Sequence, residues 1–241
     1  HTLSLHDALP ISAQIGNDLL VHGTAPEVGQ GFTDTDQAAK INVGSYYIVD
    51  HNIIPDANNV NEYTLVWDIK IPESSAYSDK RNVGLCEFQT DEATNVDISV
   101  KYDFEQENGA FGALLPGWSA YLVVPEKWYQ LALSVKNHHF FRGYINGELV
   151  LDATRHMQMD GRYSLEETFH LFKDDDGEDM PVWCSSFAIW DRALSSEEIA
   201  ALPKTQGSAG RVELARIKGD ADKKTRSRRR GGRETLGSSQ G

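Results

Sequence analysis

The chain has 241 residues and a formal net charge of −13. Residues 204–241 carry 11 Lys and Arg against 4 Asp and Glu, which leaves 12 against 32 for residues 1–203. Such an acidic body argues against binding to nucleic acid or to an anionic membrane, and it is compatible with cations, neutral glycans or basic partners. The sequence has no run of about 18 consecutive apolar residues, so we expect no membrane insertion.

The two ends differ from the middle of the chain. Residues 1–12, HTLSLHDALPIS, have no helical or strand period and resemble the translated product of a sequencing adapter. We interpret them as a non-native segment, with a short native arm as the alternative. Residues 204–241 lack apolar periodicity, which predicts a disordered basic tail. This tail is either a non-native extension, a linker to another domain or an arm for an acidic surface. One domain is expected at 13–203.

Alternation of apolar and polar residues predicts strands along the body, because successive side chains of a strand point to opposite faces of a sheet. The pattern is clearest at Tyr63–Ile71 and Tyr129–Val135, and a turn at Pro125–Trp128 precedes the second run. Further strands are expected at 19–21, 45–49, 83–88, 96–102, 140–145, 148–151, 169–172 and 182–190. Many short strands without intervening helices predict an all-β sandwich or barrel.

Two local signals define a turn and a helix. Asn146-Gly147 between β-rich runs predicts a type I′ hairpin, because both central residues of that turn need positive φ. Ser195 followed three residues later by Glu198 forms a capping-box pattern, which predicts a short helix that ends before Pro203.

Cys86 and Cys184 are the two cysteines of the chain, and each lies in an apolar, strand-like stretch. Neither belongs to a Cys-x-x-Cys pair or has a nearby His, which excludes the usual zinc spacings. A disulfide between strands and two buried thiols both fit this pattern.

Several segments resemble the laminin-G-like domains of the concanavalin A-like lectin and glucanase superfamily. They are 128–132 (WYQLA), 144–149 (YINGEL), 188–195 (AIWDRALS) and 197–199 (EEI), while 61–65 (NEYTL), 160–165 (DGRYSL) and 172–178 (FKDDDGE) resemble a subgroup common as an accessory domain. The resemblance implies an all-β, two-sheet antiparallel jelly-roll sandwich with a short C-terminal helix. It also implies faces or rim loops that bind glycans, proteins or calcium, and a secreted or cell-surface location. Members differ in function, which must be argued from the site.

The aromatic residues fall into two groups. Trp128 and Trp190 flank predicted strands, so we expect them to pack between the two sheets. Trp118 and Tyr121 follow Pro116-Gly117 in a loop-like setting and offer a platform on which a sugar ring can stack. A buried loop anchor is the alternative role for Trp118. Asp97 is the third candidate ligand-binding residue.

The most concentrated charge in the body is the acidic run after Phe172. Clustered carboxylates in a turn repel one another unless solvated or bridged by a hard cation, which makes Asp174, Asp176 and Glu178 candidate calcium ligands. Asp97 and Asp160 are candidates to complete that site. The spacing does not fit an EF-hand loop, and a solvated acidic tip is the alternative.

The sequence gives little support for catalysis. Retaining glycosidases need an acid and a nucleophile roughly 5 Å apart, and the Glu-x-Asp-x-x-Glu motif of the related glucanases is absent. The nearest match, Glu87 and Asp91, has no third partner. We therefore expect that the chain is not an enzyme. We expect an extracellular binding or adhesion module for a glycan, with calcium as a candidate cofactor, or for a protein, and we expect this module to be tethered to a larger secreted or surface protein. A structural spacer and a glycoside hydrolase with a degenerate motif are the two alternatives.

Overall fold

The structure is a computed structural model that describes residues 12–13, 19, 21–34, 37–78, 82–88, 97–103, 105–154, 158–173, 179–203 and 211–213. The first half of the chain forms β1 (Ser12–Ala13), β2 (Val21–His22), β3 (Glu27–Gln30), β4 (Gln37–Ile41), β5 (Tyr46–Asp50), β6 (Glu62–Lys70), α1 (Glu73–Ala76), β7 (Asn82–Glu87) and β8 (Asp97–Asp103). The second half forms β9 (Asn108–Ala113), β10 (Gly117–Val123), β11 (Trp128–Lys136), β12 (Phe140–Ile145), β13 (Glu148–Ala153), β14 (Thr168–Leu171), β15 (Val182–Trp190), α2 (Ser196–Ala200) and β16 (Arg211–Glu213).

The strands form two sheets. The seven-stranded sheet has the order β10-β9-β8-β7-β14-β5-β2. The nine-stranded sheet has the order β1-β16-β15-β6-β11-β12-β13, with β4 also paired to β15 and β3 paired to β4. The pairings among these strands are antiparallel except for β1 with β16 and β16 with β15. The prediction of an all-β, two-sheet antiparallel sandwich with a short C-terminal helix is confirmed.

The core lies between the inner faces of the sheets. On β6, the predicted inward residues Tyr63, Leu65, Trp67 and Ile69 are buried to 1% exposure or less. The Trp67 ring lies 6.4 Å from that of Phe111 on the opposite sheet. Period-2 alternation therefore places one row of large side chains of each long strand into the sandwich.

Two aromatic residues do not lie where the sequence suggested. Trp190 is buried on the outer face of the nine-stranded sheet, under α2, with Ile199 in a second cluster. Trp128 is half-buried on the same outer face, with the Lys70 ammonium 5.7 Å from its ring centroid. The expectation that both pack between the sheets is wrong, because Tyr129 and Ile189, their chain neighbours, face the core.

The predicted hairpin and helix are present. Asn146 and Gly147 have φ of 53° and 85°, as a type I′ turn requires. The Ser195 hydroxyl accepts from the Glu198 amide while the Glu198 carboxylate accepts from the Ser195 amide, so the capping box is formed at α2. None of the helices in the described ranges has the length and apolar character needed to cross a membrane.

Cys86 and Cys184 are free thiols, fully buried on β7 and β15 in different sheets. Burial raises the pKa of both thiols far above its usual range, so they are unreactive, neutral core groups. Residues 211–213, within the segment predicted to be disordered, pair with β15. The remainder of that tail and most of residues 1–12 lie outside the described residues, so the division into three segments stays a prediction.

Candidate functional site

The three predicted ligand-binding residues share the outer face of the seven-stranded sheet. On β8 the core-facing Ile98 and Val100 alternate with Asp97, Ser99 and Lys101, which therefore point away from the core. β10, at the edge of the sheet, carries both predicted aromatic residues. The prediction that residues 117–121 form a loop is wrong, since they belong to this strand.

Trp118 faces outward because it pairs with Gly112, which itself pairs with Ser99 of β8. Gly112 is required for this close packing, because a Cβ there would lie 2.2 Å from the Gly117 carbonyl oxygen. The indole is half-buried, and the Lys101 ammonium lies 5.8 Å from its ring centroid. Trp118 is thus held against the sheet while part of its ring stays open to solvent.

Tyr121 extends the aromatic surface along β10. It pairs with Ala110 and is 38% exposed. A register shift separates it from Trp118, and the Ser119 hydroxyl within the shift accepts from the Phe111 amide at 2.9 Å. Trp118 and Tyr121 consequently stand on one face although they are three positions apart in the strand. We call this pair the aromatic platform.

The turn before β10 is also fixed. The Leu115 amide donates to the Tyr163 hydroxyl at 3.4 Å, and burial raises the pKa of Tyr163 to about 12, so the hydroxyl stays neutral.

Three leucines near β10 are exposed: Leu114, Leu115 and Leu122 are 54%, 40% and 45% exposed. The surface around the aromatic platform is therefore apolar, which is unusual for an exposed edge strand.

A row of polar side chains crosses the middle of the same face. The strand register places Asp97 opposite Glu87 on β7, and Glu87 opposite His170 on β14. Glu87 and Asp97 are 3% and 7% exposed, and His170 Nδ1 lies 4.0 Å from a Glu87 carboxylate oxygen. These two carboxyl groups are therefore largely closed to solvent although they lie on the outer face.

The row continues toward the other edge of the sheet. The Lys173 ammonium lies 3.4 Å from His170 Nδ1 and 5.2 Å from the Tyr46 ring centroid. Tyr46 also meets the His170 ring edge-on at 5.0 Å and stacks on the His22 ring at 5.1 Å. Beside Asp97, the hydroxyl of Ser99 is fully buried without a hydrogen-bond partner. Sequence reasoning did not find this row because it depends on the pairing of strands far apart in the chain.

The predicted metal site falls on residues that the structure does not describe. Asp174, Asp176 and Glu178 lie outside the described residues. Asp179 accepts a hydrogen bond from the Gly44 amide at 2.7 Å. In the described ranges, no group of three or more His, Cys, Asp or Glu side chains is arranged to hold a metal ion.

Asp160 has a different role from the metal ligand that the sequence suggested. Its carboxylate accepts from the amides of Asn58 and Asn59 and from the side-chain amides of Asn58 and Asn61. These hydrogen bonds lower the pKa of Asp160, and the bond from the Asn61 side chain has the largest effect. Because its lone pairs meet N–H donors, Asp160 ties the 56–61 loop to the 158–165 segment.

Comparisons with known proteins support the fold. No protein-family model matches the sequence, and a search of curated proteins finds no match. The binding domain of botulinum neurotoxin serotype D aligns over 76% of this chain and 45% of its own at 16% identity, with a TM-score of 0.52. The binding domain of Paraclostridial mosquitocidal protein 1 aligns over 77% and 47% at 12% identity, also with a TM-score of 0.52.

A third similar structure is domain 4 of a GH43 extracellular arabinanase from Geobacillus stearothermophilus, in complex with arabinotriose. It aligns over 76% of this chain and 87% of its own at 15% identity, with a TM-score of 0.47. The chain spans less than half of each toxin chain that it matches. The likeness to the two toxin domains shows a β-sandwich of jelly-roll type.

Proposed function

We propose that this chain is a laminin-G-like binding module that holds a glycan on the outer face of its seven-stranded sheet. The observation that carries the proposal is the aromatic platform: Trp118 is fixed between Gly112 and Lys101, and the exposed Tyr121 stands beside it. A sugar ring stacks its C–H face on such a surface while neighbouring polar groups bond to its hydroxyls.

Lys101 supplies a complementary polar group beside the platform. It is exposed, and its ammonium lies 5.8 Å from the Trp118 ring centroid, where it can donate hydrogen bonds to sugar hydroxyls. The fold also permits the role, because the two toxin domains that share it are named as binding domains.

A glycan array followed by calorimetric titration of the best ligand tests the proposal. We expect Trp118→Ala to weaken binding about tenfold or more, since stacking on an indole contributes on the order of 1 kcal/mol or more. Tyr121→Ala should weaken it less, because a phenol ring offers a smaller stacking area than an indole. Trp128→Ala is the matched control, since Trp128 is half-buried on the outer face of the other sheet and should leave affinity unchanged.

Absence of binding to any glycan would favour the alternative of a structural spacer. Equal affinity of the wild type and Trp118→Ala would place the site elsewhere on the molecule. We also propose that the module is extracellular and accessory to a larger secreted or surface protein, with an extracellular protein as the alternative partner. Pull-down with the array-positive glycan attached to beads separates these two kinds of ligand.

One observation bears on the alternative of a glycoside hydrolase. Glu87 and Asp97 lie directly opposite each other on neighbouring strands, but at 3% and 7% exposure they are closed to a polysaccharide. We propose that the chain is not an enzyme. Release of reducing sugar from common polysaccharides by the wild type, abolished in Glu87→Gln, would overturn that proposal.

Calcium dependence rests on the sequence of the acidic run. If Asp174, Asp176 and Glu178 bind calcium only in the folded state, saturating calcium should raise the melting temperature by mass action. The triple variant Asp174→Asn/Asp176→Asn/Glu178→Gln should have the same melting temperature in calcium as in chelator. Superimposable wild-type melting curves in calcium and in chelator would leave the run as a solvated tip.

A further inference from the structure

A pocket lies at the rim of the sandwich, where β5 leads into the following loop and β14 begins. Its volume is about 530 Å³, which is ample for a small organic group. One wall comes from residues 50–55 and the other from residues 58–59, 165 and 167. It belongs to the β5 region, three strands away from the β8 part of the glycan face.

The walls of this pocket are held rigidly. His51, at 7% exposure, binds the Glu166 carbonyl through Nε2 and accepts from the Ile53 amide through Nδ1 at 3.0 Å. This pattern fixes the tautomer with the proton on Nε2, and burial lowers the pKa of His51. On the other wall, Asp160 holds Asn58 and Asn59. A ligand therefore meets walls that are already ordered.

The polar groups of the pocket are side-chain amides and carboxylates. One N–H of each of the Asn52, Asn58 and Asn59 side chains donates inside the protein, to the Asp50 carbonyl, Asp160 and Ser164 respectively. The exposed carboxylates of Asp50 and Glu167 add two negative charges. The described residues that line the pocket include no Lys or Arg, and His51 is neutral. Such a lining is complementary to a positively charged donor.

The remaining lining is apolar. Ile53, Ile54, Pro55 and Leu165 contribute to the pocket, and Ile54 is 76% exposed. A large exposed aliphatic residue next to acceptor groups suits a ligand whose charged tip follows an apolar stem.

We propose that this rim pocket binds an organic ammonium ion on an apolar stem, as carried by a lysine side chain or by a free alkylamine. The carboxylates of Asp50 and Glu167 and the amide oxygens receive the three N–H donors. Ile53, Ile54 and Pro55 cover the methylene groups. The site is separate from the aromatic platform and does not depend on the proposed glycan binding.

Amide-resolved NMR titration of the full chain tests this assignment. The probes are n-pentylamine, Nα-acetyl-lysine methylamide, n-pentanol and pentanoate. We expect the two ammonium probes to shift the amides of Ile53, Asn58 and Asn59, n-pentanol to bind more weakly and pentanoate not to bind. Tighter binding of the lysine derivative than of pentylamine would assign the site to lysine side chains, and equal binding would assign it to alkylamines in general.

The double variant Asp50→Asn/Glu167→Gln removes both charges from exposed positions, so its fold should be unchanged in circular dichroism and melting. We expect it to bind pentylamine about tenfold more weakly. Glu105→Gln/Glu148→Gln is the control with the same net charge, since both residues are exposed and lie elsewhere. Equal binding of pentanol and pentylamine, wild-type affinity in the double variant, or shifts confined to other residues would overturn the proposal.

Discussion

The carboxylate of Asp160 holds the 56–61 loop in place through several hydrogen bonds. Its backbone has a φ of 52°, and its amide donates to the Asn61 side-chain oxygen while its carboxylate collects the amide donors of three Asn residues. Asn61 in turn receives the Asn137 side-chain amide at 2.9 Å. The network joins the entry to β6 with the exit from β11, and it also forms one wall of the rim pocket.

We expect Asp160→Asn to lower the melting temperature at neutral pH, because the substituted amide oxygen is a weaker acceptor than a carboxylate. Asn tolerates positive φ, so the variant removes the charge without adding backbone strain. Since the pKa of Asp160 is lowered by folding, its contribution is fully present above the ordinary value of 3.8 and is lost as pH falls through the lower folded value.

Thermal melts of both proteins from pH 7 to pH 2 measure this effect. The difference in melting temperature should be constant above about pH 5 and shrink below pH 4. Asp50→Asn is the control, because Asp50 is exposed and its carboxylate has no such set of donors among the described residues. A difference that does not change with pH would contradict the account of Asp160.

At the level of elements, α2 is a five-residue helix that covers the outer cluster around Trp190. Arg192 holds the Glu198 carboxylate at 2.7 Å and 2.9 Å, and this pairing together with the Ser195 amide lowers the pKa of Glu198 to about 2. We expect Ser195→Ala to destabilise the protein by about 1 kcal/mol, or roughly 2–4 °C in melting temperature.

Ser195→Asp should restore most of that loss, since Asp also caps helices. Differential scanning calorimetry of the three proteins provides the comparison. An unchanged melting temperature in Ser195→Ala would mean that tertiary packing alone holds α2 in place.

Gly147 in the β12–β13 hairpin can be compared with Gly44, which lies between β4 and β5. Gly147 has a φ of 85°, and a Cβ there would lie 3.1 Å from the Ala200 Cα of α2. Gly44 has a φ of 75° with open space around its Cβ position. We expect Gly44→Ala to cost about 1 kcal/mol from backbone strain alone, and Gly147→Ala to cost more because α2 must also shift. Denaturant unfolding measures both, and a smaller loss in Gly147→Ala would contradict the close approach of α2.

The success of sequence reasoning varied with the kind of element. Strands with strong alternation, such as β6 and β11, were predicted to within a residue or two. β9 (NGAFGA) was missed, because its Gly and Ala residues carry no apolar period. β3 and β4 were also missed. The period itself could have placed Trp128 correctly, because Trp128 is out of phase with the inward-facing Tyr129 and Leu131.

Most of the candidate site could not be predicted in the same way. Trp118 and Tyr121 were recognised by residue type, but their shared face depends on a register shift in β10. The opposition of Glu87 and Asp97 depends on which residues of β7 and β8 pair. Composition and spacing along one chain do not determine such pairings, because they follow from tertiary packing of the whole sheet.

The whole molecule presents two outer sheet faces of different character. The nine-stranded sheet is covered in part by α2, and at its other end Lys70 lies 5.4 Å and 5.7 Å from the ring centroids of Trp183 and Trp128. The seven-stranded sheet carries the aromatic platform, the polar row and the exposed leucines near β10. In the proposed function, the sandwich supports a glycan-binding face on one side, and the rim pocket lies at its end.

The central claim is that a glycan stacks on Trp118. The chain has five tryptophans, and each gives its own indole N–H signal in a nitrogen-15 correlation spectrum. Titration of the labelled full chain with a glycan positive on the array should shift the Trp118 indole signal, together with backbone amides of β8, β9 and β10. Shifts of the Trp128 or Trp183 indole while Trp118 stays unmoved would contradict the account.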